Sequence, residues 1–476
     1  MSAYLLSLII VGIAGRMARK ENTLSDFYLA GRGMGVFLLF LTLYATQYSG
    51  NTLIGFAGKA YREGYMALVS VTFMMSVIGA YLIFAPKLFT LSRLKKYITV
   101  GDYIYDRFGS SALRLIVVII CIVALGNYIL TNLKAMGYII SFSTGGSVTT
   151  AQGIIGLSVI MVVYETLGGM RSVAWTDTIQ GVLLLLGCVA IFVAFEYQYS
   201  GLSLTAEYFI ANNHELWTPP SAEQKRLWLS TLIIVFFSVS IYPHAIQRIY
   251  SAKDEKTLKR SFQIMVFMPI FTTLLIIMIG IVGAFKFPGL DKDGSERITL
   301  IMLSDLAQQI KGMEYIIVLF ISAAVAAIMS TVDSALLAIS SLFTQDLYRP
   351  MKKSASQSHL TFVGKIFSWG IMGFMAYLAL VLPQTIWRLF EIKLEILCQI
   401  APAIFLGVHI KSLKAGPVFW GIVSGVSITL FIMFARDFGL DISPKPFGFH
   451  GGIWGLAVNF LLVGLLSLID RKTATV

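Results

Sequence analysis

Apolar segments of about twenty residues recur along the whole chain, separated by short polar stretches rich in Gly, Lys and Arg. Each is long enough to cross a hydrocarbon core of about 30 Å as a helix. Unbroken apolar runs also argue against a β-barrel, whose strands are shorter and alternate in polarity. The pattern predicts thirteen spans, at 2–16, 34–58, 65–91, 112–142, 150–168, 177–197, 227–249, 261–286, 314–343, 361–383, 387–410, 416–436 and 450–470. Two of them depart from the pattern. The second carries Thr46, Gln47, Ser49, Gly50, Asn51 and Thr52 at mid-membrane depth, and the seventh carries Ser238, Ser240, Pro243 and His244 in its later half. Proline removes a helical hydrogen bond, and glycine lowers the cost of leaving helical geometry. Backbone groups freed at this depth must face protein, a cavity or an ion, because lipid cannot satisfy them.

Composition agrees with an apolar exterior: 57% of the 476 residues are hydrophobic and 13% are charged, against about 25% charged in soluble domains. The net charge of +12 is spread over short runs between spans, with no basic face or arm of the kind that binds nucleic acid. About 24 of the 37 basic residues fall on alternate loops, among them Arg16, Arg93, Lys95, Lys96, Arg171, Arg248, Lys253 and Lys414. Positively charged loops stay cytoplasmic, so the N-terminus is expected outside and the C-terminus inside a bacterial-type plasma membrane. Cys121, Cys188 and Cys398 lie inside apolar segments and read as packed small hydrophobes. The N-terminal segment lacks a preceding basic region and a small-residue cleavage pattern, so it reads as a retained span.

Counted from the second span, spans 2–6 and 7–11 form two sets of five, and each set opens on an interrupted helix. An odd repeat gives the two halves opposite orientation, and paired broken helices point to an inverted-repeat transporter with a midplane site. The expected divisions are an extra N-terminal span (1–16), repeats at 34–197 and 227–410, and two C-terminal spans with a short tail (416–476).

The ninth span adds chemistry. Ser330, Thr331, Ser334, Ser340 and Ser341 allow close helix approach, while Asp333 is an ionisable group at a depth where such groups are costly and usually functional. Ser330 and Ser334 share a helical face flanked by Thr331 and Asp333. Hydroxyls, carbonyls and a carboxylate are the hard oxygen donors that a sodium ion prefers.

Several segments carry a family resemblance: DFYLAGR (Asp26 to Arg32), GGMRSVAWTDTIQG (Gly168 to Gly181), YPHAIQRIYSAKD (Tyr242 to Asp254) and IMSTVDS…DLY (Ile328 to Tyr348). With the polar second span, they resemble the sodium:solute symporter family, nearest its bacterial proline and pantothenate branch. The resemblance implies an all-α, LeuT-like five-plus-five inverted repeat with one extra N-terminal and two extra C-terminal helices. It implies sodium-coupled symport of a small organic solute (amino acid, carboxylate or vitamin-like), with sodium as co-transported ion and no cofactor. Its common sodium site corresponds here to the carbonyls of Ala45, Tyr48 and Ala327 and the hydroxyls of Ser330 and Thr331. A second cation or proton site, found in some members, corresponds to Asp177, Asp333 and Ser334 together with Ser330. Asp177 also reads as a cap at the start of the sixth span. The chain departs from the proline-type members at Gln47, where they have an acid, and at Asn51, where they have an aromatic residue.

For the solute, the expected contributors are Gln47, Ser49, Asn51 and Thr52 of the second span and Tyr242 and His244 of the seventh. The eleventh span brings Arg388, Glu391, Lys393 and Glu395 close to membrane depth. They read as an interfacial charge cluster at a helix end, with Lys134 either a partner or a group that snorkels outward; if they face the cavity, a carboxylate or zwitterionic solute is implied. A proton-coupled symporter of the same fold is the alternative reading. No HExxH motif, nucleophile elbow or GxxxxGK[ST] loop is present, which argues against a membrane enzyme and ATP-driven transport, and the tail after Asp470 is too short for a sensor domain.

Overall fold

The structure, a computed structural model, describes residues 2–18, 21, 23–49, 51–199, 201–212, 215–382 and 386–473; side chains are not described for 2–9, 51, 387 and 471–473. Among these residues the fold is all-helical, apart from one isolated bridge between Met34 and Ala252. The principal helices are α1 (Ser2–Met17), α2 (Val36–Gln47), α3 (Phe56–Glu63), α4 (Val69–Lys95), α5 (Ser111–Ser143) and α6 (Thr150–Tyr199). They continue with α7 (Ala222–Val239), α8 (Pro243–Ser251), α9 (Glu255–Lys286), α10 (Met313–Leu342), α11 (Gln357–Val381), α12 (Ile386–Leu397), α13 (Ala415–Phe434) and α14 (Gly451–Thr473). Polar caps start several of them: Ser110 accepts from the Leu113 N–H before α5, and Ser221 forms a reciprocal box with Gln224 before α7. These caps satisfy the orphan N–H groups of a first turn.

Both expected interruptions are present. α2 stops where Tyr48 takes an extended conformation (φ −96°, ψ 104°), and the chain resumes in a π-turn, Asn51–Gly55, that leads into α3. α7 and α8 are bent by 50° across Ser240–Tyr242, with Pro243 in the first turn of α8, where its missing N–H costs nothing. The ends of the two broken helices are tied by backbone: Met34 N–H donates to the Ser251 carbonyl (3.1 Å), and Lys253 N–H to the Met34 carbonyl (2.9 Å).

Eight described helices are long and apolar enough to cross a membrane alone, nine when α7 and α8 count as one bent span. The remaining predicted segments are not single long helices: the first is the shorter α1, the second is broken into α2 and α3, the fifth and sixth run together in α6, and the eleventh divides into α12 and Ala401–His409. In α6 the expected loop between the fifth and sixth spans shrinks to one residue. Gly169 has φ 61° and ψ −151°, and helix resumes at once. An added Cβ there would lie 2.7 Å from both the Phe27 carbonyl oxygen and its ring, so glycine is needed for conformation and for space.

α10 is the hub. Every residue from Ala323 to Leu342 is buried, against α6 and α5 among others. A helix apolar or small on all sides belongs inside a bundle, and a Cβ on Gly187 of α6 would come within 2.7 Å of the Ala323 Cβ. α11, α13 and α14 lie at the periphery, with Phe374, Phe431, Leu461 and Leu465 exposed, the outward apolar surface that hydrocarbon requires.

Candidate functional site

The break after Gln47 frees backbone oxygens. Tyr48 N–H still bonds the Tyr44 carbonyl (3.1 Å), but the Ser49 N–H turns to the Thr52 hydroxyl (3.3 Å) instead of continuing the helical bond to Ala45. The end of α2 packs on α10, where Thr46 Oγ1 lies 3.5 Å from Ser334 Oγ. On α10 the Thr331 hydroxyl donates to the Ala327 carbonyl (2.8 Å), and Ser330 Oγ donates to Asp177 Oδ1 (2.5 Å). The two elements expected to share a sodium ion therefore meet, with a broken backbone on one side and paired hydroxyls on the other.

Asp177 is not a helix cap. It sits two turns inside the second part of α6, fully buried, because helix begins directly after Gly169. Its partner is Arg248, which the loop-charge pattern assigns to a cytoplasmic loop. Pro243 redirects the chain so that Arg248 is carried inward on α8. There its Nη2 lies 2.9 Å from Asp177 Oδ2 and also bonds Ser334 Oγ, while its Nε donates to Thr42 Oγ1 (3.0 Å). Thr42 donates to the same Asp177 oxygen. Asp177, Ser330 and Ser334 are brought together as expected, but around a guanidinium. Asp333 is turned away from this group: its Oδ2 accepts the Tyr164 hydroxyl, and its buried Oδ1 has no hydrogen-bond partner among the described residues.

Beside the α2 break lies a narrow void lined by Gln47, Ser49, Thr52, Tyr128, Tyr242 and Phe390, with Phe56, Phe73, Met74, Val235 and Val239 supplying apolar walls. Four of the six expected solute contributors line it. The Asn51 side chain lies outside the described residues. His244 sits behind the wall, its ring stacked on Tyr128 (5.6 Å, 16°) and tilted against Tyr242 (5.0 Å). Gln47 donates to the Tyr81 hydroxyl, and Tyr128 OH donates to the Thr46 carbonyl (3.2 Å). Gln47 Oε1, Tyr242 OH and both His244 nitrogens are buried without hydrogen-bond partners among the described residues. Sequence reasoning missed Tyr81, Tyr128 and Phe390, because an aromatic residue in an apolar run carries no sign of which neighbour it will face.

Residues 27–425 match the sodium:solute symporter family. The chain belongs to that family. Its relatives include the uncharacterised symporter YodF of Bacillus subtilis, 23% identical over 98% of this chain and 92% of the relative. They also include the sodium/pantothenate symporter of Escherichia coli, 26% identical over 75% of this chain and 73% of the relative. The fold is similar to that of a sodium-coupled sialic acid symporter solved substrate-bound and outward-open, with a TM-score of 0.79 at 20% identity over 98% of this chain and 96% of that one. The protein is thus a multi-pass membrane symporter that couples a small solute to sodium, and not an enzyme. Sodium enters as a co-transported ion rather than a resident cofactor.

For a symporter of this family, the charge cluster on α12 takes on meaning once its two faces are separated. Glu391 and Glu395 are buried and point toward the C-terminal segment. Lys445 Nζ lies 2.7 Å from Glu391, His450 Nδ1 lies 3.2 Å from Glu395, the Gly452 N–H donates to Glu395 (2.9 Å), and Arg388 approaches both acids (3.4 and 3.8 Å). The like-charge i,i+4 repulsion is thereby offset. The cluster is not interfacial as a whole, because Lys393 between the two acids faces the bundle interior. The Lys134 ammonium donates to the Leu382 carbonyl.

Proposed function

We propose that this symporter carries a small organic solute, of amino-acid, carboxylate or vitamin-like size, into the cytoplasm, and that sodium binds where α2 breaks against α10. The ligands in this reading are the carbonyls of Ala45, Tyr48 and Ala327 and the hydroxyls of Ser330 and Thr331. The observation that supports it is that the Ser49 N–H turns from Ala45 to Thr52 where α2 packs on α10, which frees backbone oxygen at a depth where only protein, water or an ion can satisfy it. The solute lies beside it, against Gln47, Ser49, Asn51 and Thr52 on one side and Tyr242, backed by His244, on the other. Ion and solute then share one broken helix, so occupancy of either biases the same element, which is the physical requirement for coupling.

Arg248 supplies a fixed positive charge to Asp177 and Ser334, leaving a second cation, or a proton, to Asp333. Alternating access follows from rocking the repeats at 34–197 and 227–410 about the tied ends of α2 and α8. The test is reconstitution into liposomes with a panel of amino acids, carboxylates, vitamins and sugars. An imposed inward sodium gradient should drive accumulation of one chemical class. Accumulation that ignores sodium and follows a pH gradient would instead establish the proton-coupled alternative.

A further inference from the structure

Lys393 is a buried lysine that neither the sodium site nor the charge cluster employs. It lies two residues from Glu391 and two from Glu395, about 200° around the helix from each, and so faces away from the cations that take up those acids. It is 1% exposed, and its ammonium has no hydrogen-bond acceptor among the described residues. It stands instead over aromatic rings, 3.4 Å from the centre of Tyr128, 4.7 Å from Phe390 and 5.2 Å from Tyr242. All three rings line the void beside the α2 break. Ring faces attract an ammonium but accept none of its three N–H groups as a carboxylate would.

A donor-rich, anion-poor group directly behind the rings that line this void calls for an anion that arrives with the solute. We propose that Lys393 is the counter-ion of a solute carboxylate, so that the transported solute is a small carboxylate or a zwitterion. The hydroxyl of Tyr242, buried and unbonded, adds a second donor to the same group. Gln47 Oε1, also unbonded, supplies an acceptor for a donor elsewhere on the solute, while Phe73 and Val239 limit its body to something compact. The assignment rests on the solute site proposed above.

The experiment uses the full chain in proteoliposomes under an inward sodium gradient, with matched pairs: radiolabelled carboxylates and amino acids, each beside its primary amide. Wild-type protein should accumulate acids over their amides by more than about tenfold, the discrimination expected when a buried ionic partner is left unmatched. Lys393→Met should lose about tenfold or more of acid uptake, Lys393→Arg should recover part of it, and sodium binding measured in the absence of solute should stay at the wild-type value. Should Lys393→Met fail to fold, the wild-type preference for acid over amide decides alone, with sodium-dependent thermal stabilisation as an independent readout. Equal transport of acid and amide, sodium-driven transport of neutral solutes only, or wild-type acid uptake by Lys393→Met would overturn the assignment and leave sodium symport standing. Stimulation by chloride alone, with no acid preference, would show that the site takes an inorganic anion and would also overturn it. Sodium-independent behaviour across the whole panel would overturn the symport reading and this inference with it.

Discussion

Ser330 and Thr331 are neighbours in the chain, yet their hydroxyls serve different partners: Ser330 reaches Asp177 across the bundle, and Thr331 bonds back to Ala327. Ser330→Ala and Thr331→Ala should therefore both raise the sodium concentration for half-maximal uptake by about tenfold, but only Ser330→Ala should also lower stability, by ~1–3 kcal/mol, since it strips Asp177 of a buried bond. A sodium titration of uptake with a melting curve for each variant checks this, and unchanged sodium activation in both rejects the site. Asp333→Asn should change the number of ions moved per solute or the pH dependence of transport; unaltered stoichiometry, measured from reversal potentials, would make the Tyr164–Asp333 contact purely structural. Arg248→Met should be the most damaging of these changes, because it leaves the Asp177 carboxylate buried without its cation, a loss of roughly 3–5 kcal/mol. Adding Asp177→Asn should restore part of the melting temperature if the pair is the cause. Arg248 also marks a limit of sequence reading. In a linear pattern it is one more loop arginine, and only the turn at Pro243 converts it into the partner of a residue 71 positions away.

At the scale of elements, the broken helices were legible because polar and hydroxyl residues, or proline, in the middle of an apolar run have few structural explanations. The stretch 169–176 was legible only as a loop between the fifth and sixth spans. The structure instead keeps α6 helical on both sides of a single glycine, with Phe27 of the preceding segment packed against it. Gly169→Ala should cost ~1–3 kcal/mol, both for the backbone conformation it enforces and for the contact with the Phe27 carbonyl. A lowered melting temperature in detergent would show this, and a wild-type value would mean the break relaxes to ordinary helix. The same shift of helix start explains why Asp177 is a bundle residue and not a cap.

At the scale of the whole molecule, the loop-charge pattern implies thirteen crossings, an external N-terminus and a cytoplasmic C-terminus. Lys292 precedes α10 and Ser354 follows it, and both are exposed, so they should lie on opposite sides of the membrane. The native Cys121, Cys188 and Cys398 are buried and give little background. In intact cells a membrane-impermeant thiol reagent should label Lys292→Cys and spare Ser354→Cys; labelling in the reverse sense would invert the topology.

The order of apolar segments, the two interruptions and the hydroxyl-rich span with Asp333 can all be read in one dimension. They depend on local composition and on the refusal of lipid to satisfy polar groups. Which charges find each other is a different kind of fact. Arg248 meets Asp177, Lys445 and His450 meet Glu391 and Glu395, and Lys393 is left among the rings of Tyr128, Tyr242 and Phe390. Those pairings follow from helix rotation and the bend at Pro243, and a rotation of one residue, about 100°, would exchange one set of partners for another. Sequence alone therefore determined where two helices break and which span carries the hydroxyls and Asp333, and the packed bundle decided which charged groups meet.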